Sequence, residues 1–293
     1  MLTVVKPIGL DRSGRLLGLR TGEVYYSEKA DISVPGFDVI RHNQCAEGGA
    51  GAREFRTLLI DLTADRDALM AGFKKSTAYE IRRCEQSDGL AFAIDPAPAA
   101  AAVDAFIAFF RAFMVDKGWP DAGDKATFYG DLLHQYRAAG ALTISAVAGA
   151  DGRVLYRHTY INDGRRARLV NSASIPRSET PPAAQAMMGR ANRCLHWRDM
   201  LHFKDAGHTL YDFGGISTDG ADSISRFKLS FGGRQVVEYY DFYRAFSLRG
   251  RLALALRGWR TRRGEPLPSP AQEPAAGEES APADQASGGA AGP

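Results

Sequence analysis

The succession of apolar patterns after Phe55 restricts the fold more than any other feature of this sequence. FRTLLIDL (55–62) has the apolar density of a buried strand. Thr63 is the predicted N-cap of the helix that follows, and Gly89 is a reasonable end for it, because glycine often terminates helices. LAFAI (90–94) then predicts a second strand.

The middle of the chain predicts two helices and three successive strands. The helices are Ala99–Lys117, where Val103, Phe106 and Phe110 recur at helical spacing, and Thr127–Ala139. The strands are ALTISAVA, GRVLYRHTYIN and RRARLVNSAS, separated by Asp151-Gly152 and Asp163-Gly164. Both pairs are typical of hairpin turns, because glycine readily takes a positive φ.

Helices and strands alternate in the rest of the pattern. It predicts a long helix at Ala183–Ala206, a strand at HTLYDFGG (208–215), a short helix at Asp222–Leu229 and a last strand at QVVEYYDFYRAF (235–246). The whole order predicts an α/β fold, with helices on both sides of a mixed, mostly antiparallel sheet.

The two ends of the chain differ from this pattern. In residues 1–56 only short runs such as Leu2–Val5 could be strands. Residues 265–293 contain five acidic and no basic residues, six prolines and no aromatic residue. Such a segment cannot bury enough apolar surface to offset its ordering entropy, so we expect a disordered tail. Since the whole chain carries a net charge of +3, residues 1–264 carry +8.

Composition and spacing exclude several classes of protein. No apolar run reaches the ~18 residues of a membrane-spanning helix, and Lys6, Asp11, Arg12 and Arg15 interrupt what would be a secretory signal. The three cysteines are far apart, which predicts neither a disulfide framework nor a zinc site and fits a cytoplasmic location. The histidines show no metal-ligand spacing, so no metal is predicted. Hydrolase and NTPase motifs are lacking.

Two segments could contact phosphate. Four cations lie between Lys74 and Arg83; they form either a solvated helix face or a rim that contacts a substrate through Arg82 and Arg83. AMMGRA (186–191) matches, except at its first position, the Arg/Gln-x-x-Gly-x-Gly/Ala pattern by which acyl-CoA-binding N-acetyltransferases hold a pyrophosphate at a helix start. The predicted donor-binding residues are Gly189, Arg190, Asn192 and Arg193.

The densest pattern follows the long helix. YDFGGI (211–216) precedes RFKLSFGGRQVVEYYDFY (226–243), and the two Gly-Gly pairs allow a close backbone approach. Together they resemble the C-terminal signature of the FemABX family of acyl and aminoacyl transferases. NRCLHW (192–197), with Gly207, resembles the helix that precedes this signature. AYEIRRCE (78–85) is similar to another helix of the family, with Cys84 and Glu85 departing from its pattern. The resemblance covers roughly residues 57–243.

The resemblance implies a GNAT-like acyltransferase fold and the transfer of an acyl or aminoacyl group to an amine. The donor is then either an acyl-CoA thioester or an aminoacyl-tRNA, and no prosthetic group is implied. Family members that act on peptidoglycan precursors have two GNAT-like lobes. Only about 56 residues precede the resemblance here, which leaves room for no more than a truncated first lobe and argues against a nucleotide-sugar-pentapeptide acceptor.

Three residues are candidates for catalysis. Lys228 matches the position of the family's active-site lysine and would stabilise the tetrahedral oxyanion. Asp212 could accept the amine proton if burial raised its pKa, and His196 is the alternative base, since histidine titrates nearer to neutrality. The structural alternatives are a backbone cap for Asp212 and a core histidine for His196, and proximity alone could replace a base. The predicted substrate-binding residues are Tyr211, Gly214, Gly215, Arg226, Phe227, Trp197, Arg82 and Arg83.

Residues 247–264 hold six arginines among leucines and Trp259, and they resemble a basic amphipathic helix. This helix either packs on the domain or contacts an anionic inner-membrane surface, where a lipid-linked acceptor would lie. The predicted organisation is a short segment 1–56, a transferase domain 57–246, the helix 247–264 and the tail 265–293. The predicted function is acyl or aminoacyl transfer to an amine in bacterial cell-envelope, peptidoglycan or polysaccharide metabolism. The alternative is a GNAT-like scaffold at the membrane without turnover.

Overall fold

The structure is a computed structural model of the 293-residue chain. It describes residues 1–5, 18–29, 34–49, 51–180 and 185–262. The tail predicted at 265–293 lies outside the described residues.

A seven-stranded mixed sheet forms the centre of the fold. Its strand order is β10-β4-β9-β8-β7-β6-β5, and every neighbouring pair is antiparallel except β8 and β9, which are parallel. The strands are β4 (Arg53–Asp61), β5 (Ala91–Asp95), β6 (Leu142–Ala148), β7 (Val154–Asn162), β8 (Arg166–Ser174), β9 (Leu210–Gly215) and β10 (Arg234–Tyr240). The predicted α/β class, with a mostly antiparallel sheet flanked by helices, is confirmed.

Seven α-helices occur among the described residues. They are α1 (Arg66–Ala71), α2 (Lys75–Ser87), α3 (Ala100–Asp116), α4 (Ala122–Ala138), α5 (Gln185–Asp205), α6 (Ser223–Leu229) and α7 (Leu248–Arg262). The single helix predicted after Thr63 is in fact α1 and α2, and its N-cap is Asp65, whose carboxylate accepts from the Ala68 N–H at 2.8 Å. The helical hydrogen bonding is interrupted between α1 and α2, because the Lys74 N–H donates to the Ser230 carbonyl oxygen, 2.9 Å away and outside the helix.

A second sheet joins the beginning of the chain to residues near its end. Its order is β1 (Leu2–Val5), β2 (Thr21–Tyr25), β3 (Val39–Asn43) and β11 (Phe242–Ala245). The last strand predicted from sequence is therefore two strands in different sheets. The chain turns between them at Asp241, which has a φ of 60°, a conformation that Asp tolerates better than most residues.

The core lies on both faces of the seven-stranded sheet. On one face α2 and α5 pack against it through residues such as Ile81 and Trp197. On the other face α3 and α4 pack through residues such as Phe106 and Leu133. Tyr160 and Ile161, neighbours in β7, belong to opposite faces, as the alternation of a strand requires. Among the described residues no helix is both long enough and apolar enough to cross a bilayer.

The parallel pair β8 and β9 separates after a short contact. Arg166 to Arg168 pair with Leu210 to Asp212, and no pairing continues beyond them. Gly214 lies just past this point with a φ of 72°, and a Cβ there would stand 3.1 Å from the Leu169 carbonyl oxygen. Two cavities lie at the opening between these two strands.

Candidate active site

A cavity of about 600 Å³ occupies the opening between β8 and β9. Leu169 to Ser172 of β8 line one side, and Phe213 to Ser217 line the other. Aromatic residues of α3 and α4 form a further wall, and the beginning of β4 and parts of β2 and β3 close the cavity.

A second cavity of about 70 Å³ lies next to the first, towards α5 and α6. Five residues line both cavities, namely Phe113, Leu169, Ser172, Ile224 and Lys228. The two spaces therefore meet where the strands part. A molecule in each could bring its reacting atom to the same place.

Lys228 stands at this junction on the short helix α6. Asp222 caps that helix by accepting from the Ser225 N–H at 2.8 Å, which fixes the turn that carries the lysine. The Lys228 side chain is buried, and its Nζ donates to the Gly215 carbonyl oxygen at 2.6 Å. The cation is therefore held in a defined position at the edge of both cavities. Phe227 lines the smaller cavity, whereas Arg226 is exposed.

His196 lines the smaller cavity from α5. It is almost wholly buried, and its Nδ1 is 2.7 Å from the Tyr211 hydroxyl. Burial, followed by the neighbouring His158, Lys228 and Arg193, holds the pKa of the imidazole well below its ordinary value. The ring is therefore neutral at pH 7 and can accept a proton, while its lowered pKa makes it a weaker base than a free histidine.

A chain of buried polar groups extends from His196 into the core. The Tyr211 hydroxyl is 2.7 Å from that of Tyr160, and Tyr160 donates to Asp199 Oδ2 at 2.6 Å. His158 continues the chain, with its Nδ1 2.9 Å from Asp199 Oδ2 and its Nε2 3.0 Å from Asn192 Oδ1. Burial raises the pKa of both tyrosines, so the hydroxyls stay protonated and can donate.

His158, His196 and Asp199 are also close enough to be considered as metal ligands, since one ligand atom of each lies within 4.8 Å of the others. Both ring nitrogens of His158 and the Nδ1 of His196 have hydrogen-bond partners in the structure. The other oxygen of Asp199, Oδ1, is buried without a hydrogen-bond partner among the described residues. The prediction that the protein uses no metal stays a prediction. Sequence reasoning missed His158 and Tyr160. The alternation of β7 places both on one face and could have revealed them.

Asp212 is a residue of β9, and its side chain belongs to a cluster of buried charges. Arg166 donates to its Oδ2 at 2.6 Å and to Glu238 Oε1 at 2.6 Å. Gln44 Nε2 donates to the same Asp212 oxygen at 3.0 Å, and the Thr57 hydroxyl donates to the other oxygen. Burial acts to raise the pKa of Asp212, but the Arg166 charge and these hydrogen bonds overcome it and lower the pKa. Asp212 is not among the residues that line either cavity.

The predicted donor-binding residues of α5 are only partly gathered at the cavities. Asn192 lines the smaller one. Arg193 lies over the Phe227 ring, 5.2 Å from its centroid, and pairs with Glu80 at 3.0 Å, while Arg190 pairs with Asp88 at 2.7 Å. Gly189 is the fifth residue of α5, one turn inside the helix.

The predicted substrate-binding residues fall into two groups. Gly214 and Gly215 line the larger cavity, and Tyr211 lies behind the smaller one, in contact with His196. Trp197 is buried in the core against Phe73, with 5.6 Å between the ring centroids, and Arg82 and Arg83 are exposed on α2. These last three residues line neither cavity.

Comparison with known proteins identifies this architecture. The model of the acetyltransferase (GNAT) domain family matches residues 71–229, which is more than half of the chain. The protein therefore belongs to the GNAT acetyltransferase family, a class of transferases that take a donor and an amine acceptor and typically use acyl-CoA as a substrate. The predicted GNAT-type transferase is confirmed.

Several solved structures are similar at low sequence identity. A crystal structure of FemX has a TM-score of 0.49 and 11% identity, over 69% of this chain and 63% of that one. The C-terminal domain of a putative lysylphosphatidylglycerol synthetase from Agrobacterium fabrum has a TM-score of 0.47 and 13% identity, over 81% of this chain and 80% of that one. L-PGS from Bacillus licheniformis has a TM-score of 0.43 and 11% identity, over 76% and 73%. No curated protein matches the chain in sequence.

Proposed function

We propose that this protein transfers an acyl or aminoacyl group from a thioester or ester donor to an amine, at the point where its two cavities meet. The observation that carries the proposal is the position of Lys228 and Ser172, which line both cavities in the opening between β8 and β9. The donor would enter from the side of α5 and α6 and the amine from the larger cavity. Neither needs to cross the sheet.

The proposed reaction is a direct displacement. The neutral amine attacks the donor carbonyl, a C–N bond forms, and the carbonyl oxygen becomes an oxyanion beside the Lys228 ammonium. A fixed cation in a site poor in water stabilises that charge without reorganising. His196 accepts the amine proton, and the C–S or C–O bond then breaks as the proton passes to the leaving group. His196 lines the smaller cavity whereas Asp212 lines neither cavity, which favours His196 over Asp212 as the base.

The donor remains a choice between acyl-CoA and aminoacyl-tRNA. We would test it with the full chain, measuring thiol release from a panel of acyl-CoA thioesters and deacylation of a charged-tRNA mixture, each with and without a panel of primary amines. Amine-dependent release from either donor would support the proposal and identify the donor. Binding of a donor without amine-dependent release would support the alternative of a scaffold without turnover.

We also propose that α7 brings the protein to an anionic membrane surface, where a lipid-linked acceptor of the cell envelope would be within reach. Gly250 packs the helix against Asp38, since a Cβ there would stand 2.2 Å from the Asp38 carbonyl oxygen, and Ala253 is buried. At about 100° per residue the opposite face carries Leu248, Leu252 and Leu256. These leucines are 82%, 54% and 40% exposed.

Arginines border this leucine face. Arg249 and Arg251 are exposed on either side of it, and four further arginines follow in the sequence at 257, 260, 262 and 263. This combination of apolar stripe and positive flanks is typical of helices that lie in a membrane interface. Flotation with liposomes containing phosphatidylglycerol tests it. We expect the full chain to float and the Leu252→Asp variant to stay in the dense fraction. Equal flotation of both would contradict the proposal, and neutral liposomes serve as the control.

A further inference from the structure

The larger cavity has two chemically different walls, and the transfer chemistry at Lys228 uses neither of them. We infer that the acceptor of this enzyme combines an apolar, ring-compatible body with an anionic group, and that the body lies on α3 and α4 while the anion lies at the beginning of β4. This inference rests on the proposed function, because it names the acceptor class of the same site.

The first wall is a set of aromatic side chains from α3, α4 and the turn between them. They are Phe110, Phe113, Trp119, Phe128, Tyr129 and Tyr136. Phe110 lies edge-on to Tyr129 at 5.3 Å and to Trp119 at 6.1 Å, so the rings hold each other in place. Trp119 and Phe128 keep part of their surface open, although large aromatic side chains gain most from burial. An apolar ligand would complete that burial without any rearrangement of the wall.

The second wall is basic. Arg53 and Arg56 line it from β4, and Arg168 lines it from β8. Among the residues that the structure describes, no carboxylate pairs with Arg53 or Arg56. Arg41, which also lines the cavity, differs in that it pairs with Glu23 at 3.0 Å and with Asp241 at 3.1 Å.

The charges around the cavity do not cancel. Five basic side chains line it, and the acidic ones are Glu54, Asp222 and Asp241. Asp222 caps α6, and Asp241 pairs with Arg41. Arg53, Arg56, Arg168 and Lys228 then stand against Glu54, and Arg168 also interacts with the buried Asp212. The positive excess at the beginning of β4 therefore rests on Arg53 and Arg56, whose guanidinium geometry suits a carboxylate, sulfonate or phosphate.

The size of the cavity points to a molecule larger than a small amine. A volume of about 600 Å³ falls within the range of pockets that bury drug-sized ligands. A methylamine or glycine acceptor would leave both walls unfilled. An amine that carries an apolar body and an acid would contact both.

Two dyes with the same aromatic body separate the two walls. 8-Anilinonaphthalene-1-sulfonate carries an anion, and N-phenyl-1-naphthylamine lacks it. We would titrate the full chain with each dye, in the absence of any donor, and follow dye fluorescence. We expect saturable binding of both. The double variant Arg53→Gln, Arg56→Gln should weaken the sulfonate dye about tenfold and leave the neutral dye nearly unchanged, because only the former loses charged hydrogen bonds. Phe128→Ala should weaken both dyes.

The matched control is Arg111→Gln, because Arg111 is exposed on α3 and does not line the cavity. It should change neither affinity. Since the sulfonate dye also binds loosened proteins, each variant must keep the wild-type thermal midpoint, and Phe128→Leu replaces Phe128→Ala if the latter does not.

An unchanged affinity of the sulfonate dye in the double variant would overturn the anionic part of the inference. Unchanged affinities of both dyes in the Phe128 variant would overturn the apolar part. Dye binding needs no donor and no turnover. The expected dye behaviour together with no amine-dependent release from any donor would therefore mean that the binding site is right and the proposed function is wrong.

Discussion

At the scale of single residues, the position of Lys228 depends on backbone rather than on side-chain partners alone. Its ammonium reaches the Gly215 carbonyl because α6 begins at the Asp222 cap and because β9 leaves β8 at Gly214. These features come from a turn residue and a glycine, which are visible in the sequence as YDFGGI and the segment around 222. The sequence could therefore indicate Lys228 as a candidate through its resemblance to a family motif, whereas its contacts could not be predicted.

Lys228→Met tests the oxyanion role. The variant keeps the length of the side chain and removes its charge, so we expect the transfer rate to fall by about 10²–10³, the usual cost of losing such a group. The measurement is amine-dependent release with whichever donor the panel identifies. Lys29→Met, on an exposed lysine, should keep the wild-type rate. A Lys228→Met enzyme with full turnover would rule out the assignment.

The buried neutral state of His196 predicts a pH dependence of stability. The pKa of His196 is lowered in the folded protein, so below about pH 6.5 the unfolded chain binds a proton that the folded chain does not. The free energy of unfolding should therefore fall as the pH decreases from about 7.5 to about 5. His42, whose pKa burial lowers to about 4, contributes with the same sign.

Urea unfolding of the wild type and of His196→Gln, each at about pH 7.5 and about pH 5, measures the contribution of His196 to this loss of stability. The variant should lose less stability on acidification, by about 1 kcal/mol or more, since one pKa unit corresponds to about 1.4 kcal/mol. Equal losses in both proteins would show that folding does not lower the pKa of His196.

At the scale of elements, the cluster around Asp212 fastens separate strands to one another. Arg166 of β8 joins Asp212 of β9 to Glu238 of β10, and Gln44, just past β3, reaches both carboxylates, with 3.0 Å to Asp212 and 3.2 Å to Glu238. The Thr57 hydroxyl, which donates to Asp212, adds β4 to the cluster. One side-chain cluster thus connects four strands of the central sheet to the smaller sheet.

Asp212→Asn separates this structural role from a catalytic one. Loss of the charge leaves Arg166 partly uncompensated in a buried site, so we expect the free energy of unfolding to decrease by about 3–5 kcal/mol. Denaturant titration measures it, with Asp131→Asn on the exposed face of α4 as the control. A variant with wild-type stability but no turnover would instead make Asp212 the base.

The order of elements could be predicted from the sequence because most helices and strands show their own hydrophobic periodicity or turn residues. The periodicity of α3 and the hairpin turns of β6 to β8 are local signals, and the helices and strands follow them. The break at Asp241 could not be read, because β11 is defined by its pairing with β3, about two hundred positions earlier. For the same reason the sequence suggested a base at Asp212, whose partner Arg166 is brought to it only by the parallel pairing of β8 with β9.

In the candidate site, too, the residues of contiguous motifs could be predicted, whereas those brought together only by the fold could not. Lys228, Phe227, His196 and the Gly214-Gly215 pair come from contiguous motifs, and the structure places all of them at the cavities. The sequence was a poorer guide to the helices around them. Its cluster of cations left open whether α2 presents a solvated face or a rim that contacts a substrate; Arg82 and Arg83 are exposed and line neither cavity. Its helical spacing predicted α3 but assigned no role to the aromatic residues of α3 and α4, several of which face the larger cavity.

At the scale of the whole molecule, the smaller sheet makes the beginning of the chain part of the same structure as residues 242–245. Removing residues 1–56 would take β3 from β11 and Gln44 from the charge cluster. The boundaries predicted for a domain at 57–246 therefore remain to be tested by expression.

We expect a chain of residues 57–246 to have a thermal midpoint at least ~10 °C below that of the full chain, because several kcal/mol of buried contacts are lost and each costs a few degrees in a protein of this size. Scanning calorimetry measures it. A chain of residues 1–264, which lacks only the acidic tail, should keep the midpoint of the full chain. An unchanged thermal midpoint for residues 57–246 would show that the smaller sheet does not contribute to the stability of the central domain.

The two cavities share five lining residues, Lys228 and Phe113 among them, yet much of their remaining walls comes from different helices. The aromatic and basic walls come from α3, α4 and the beginning of β4, whereas the smaller cavity is bounded by α5 and α6. Mutations of residues that line only one cavity, such as Phe128, need not disturb the other cavity. Substitutions in the walls of the larger cavity could thus change which amine is accepted while the donor stays the same. Evolution or protein engineering could in this way produce new products by altering one of the two substrates at a time.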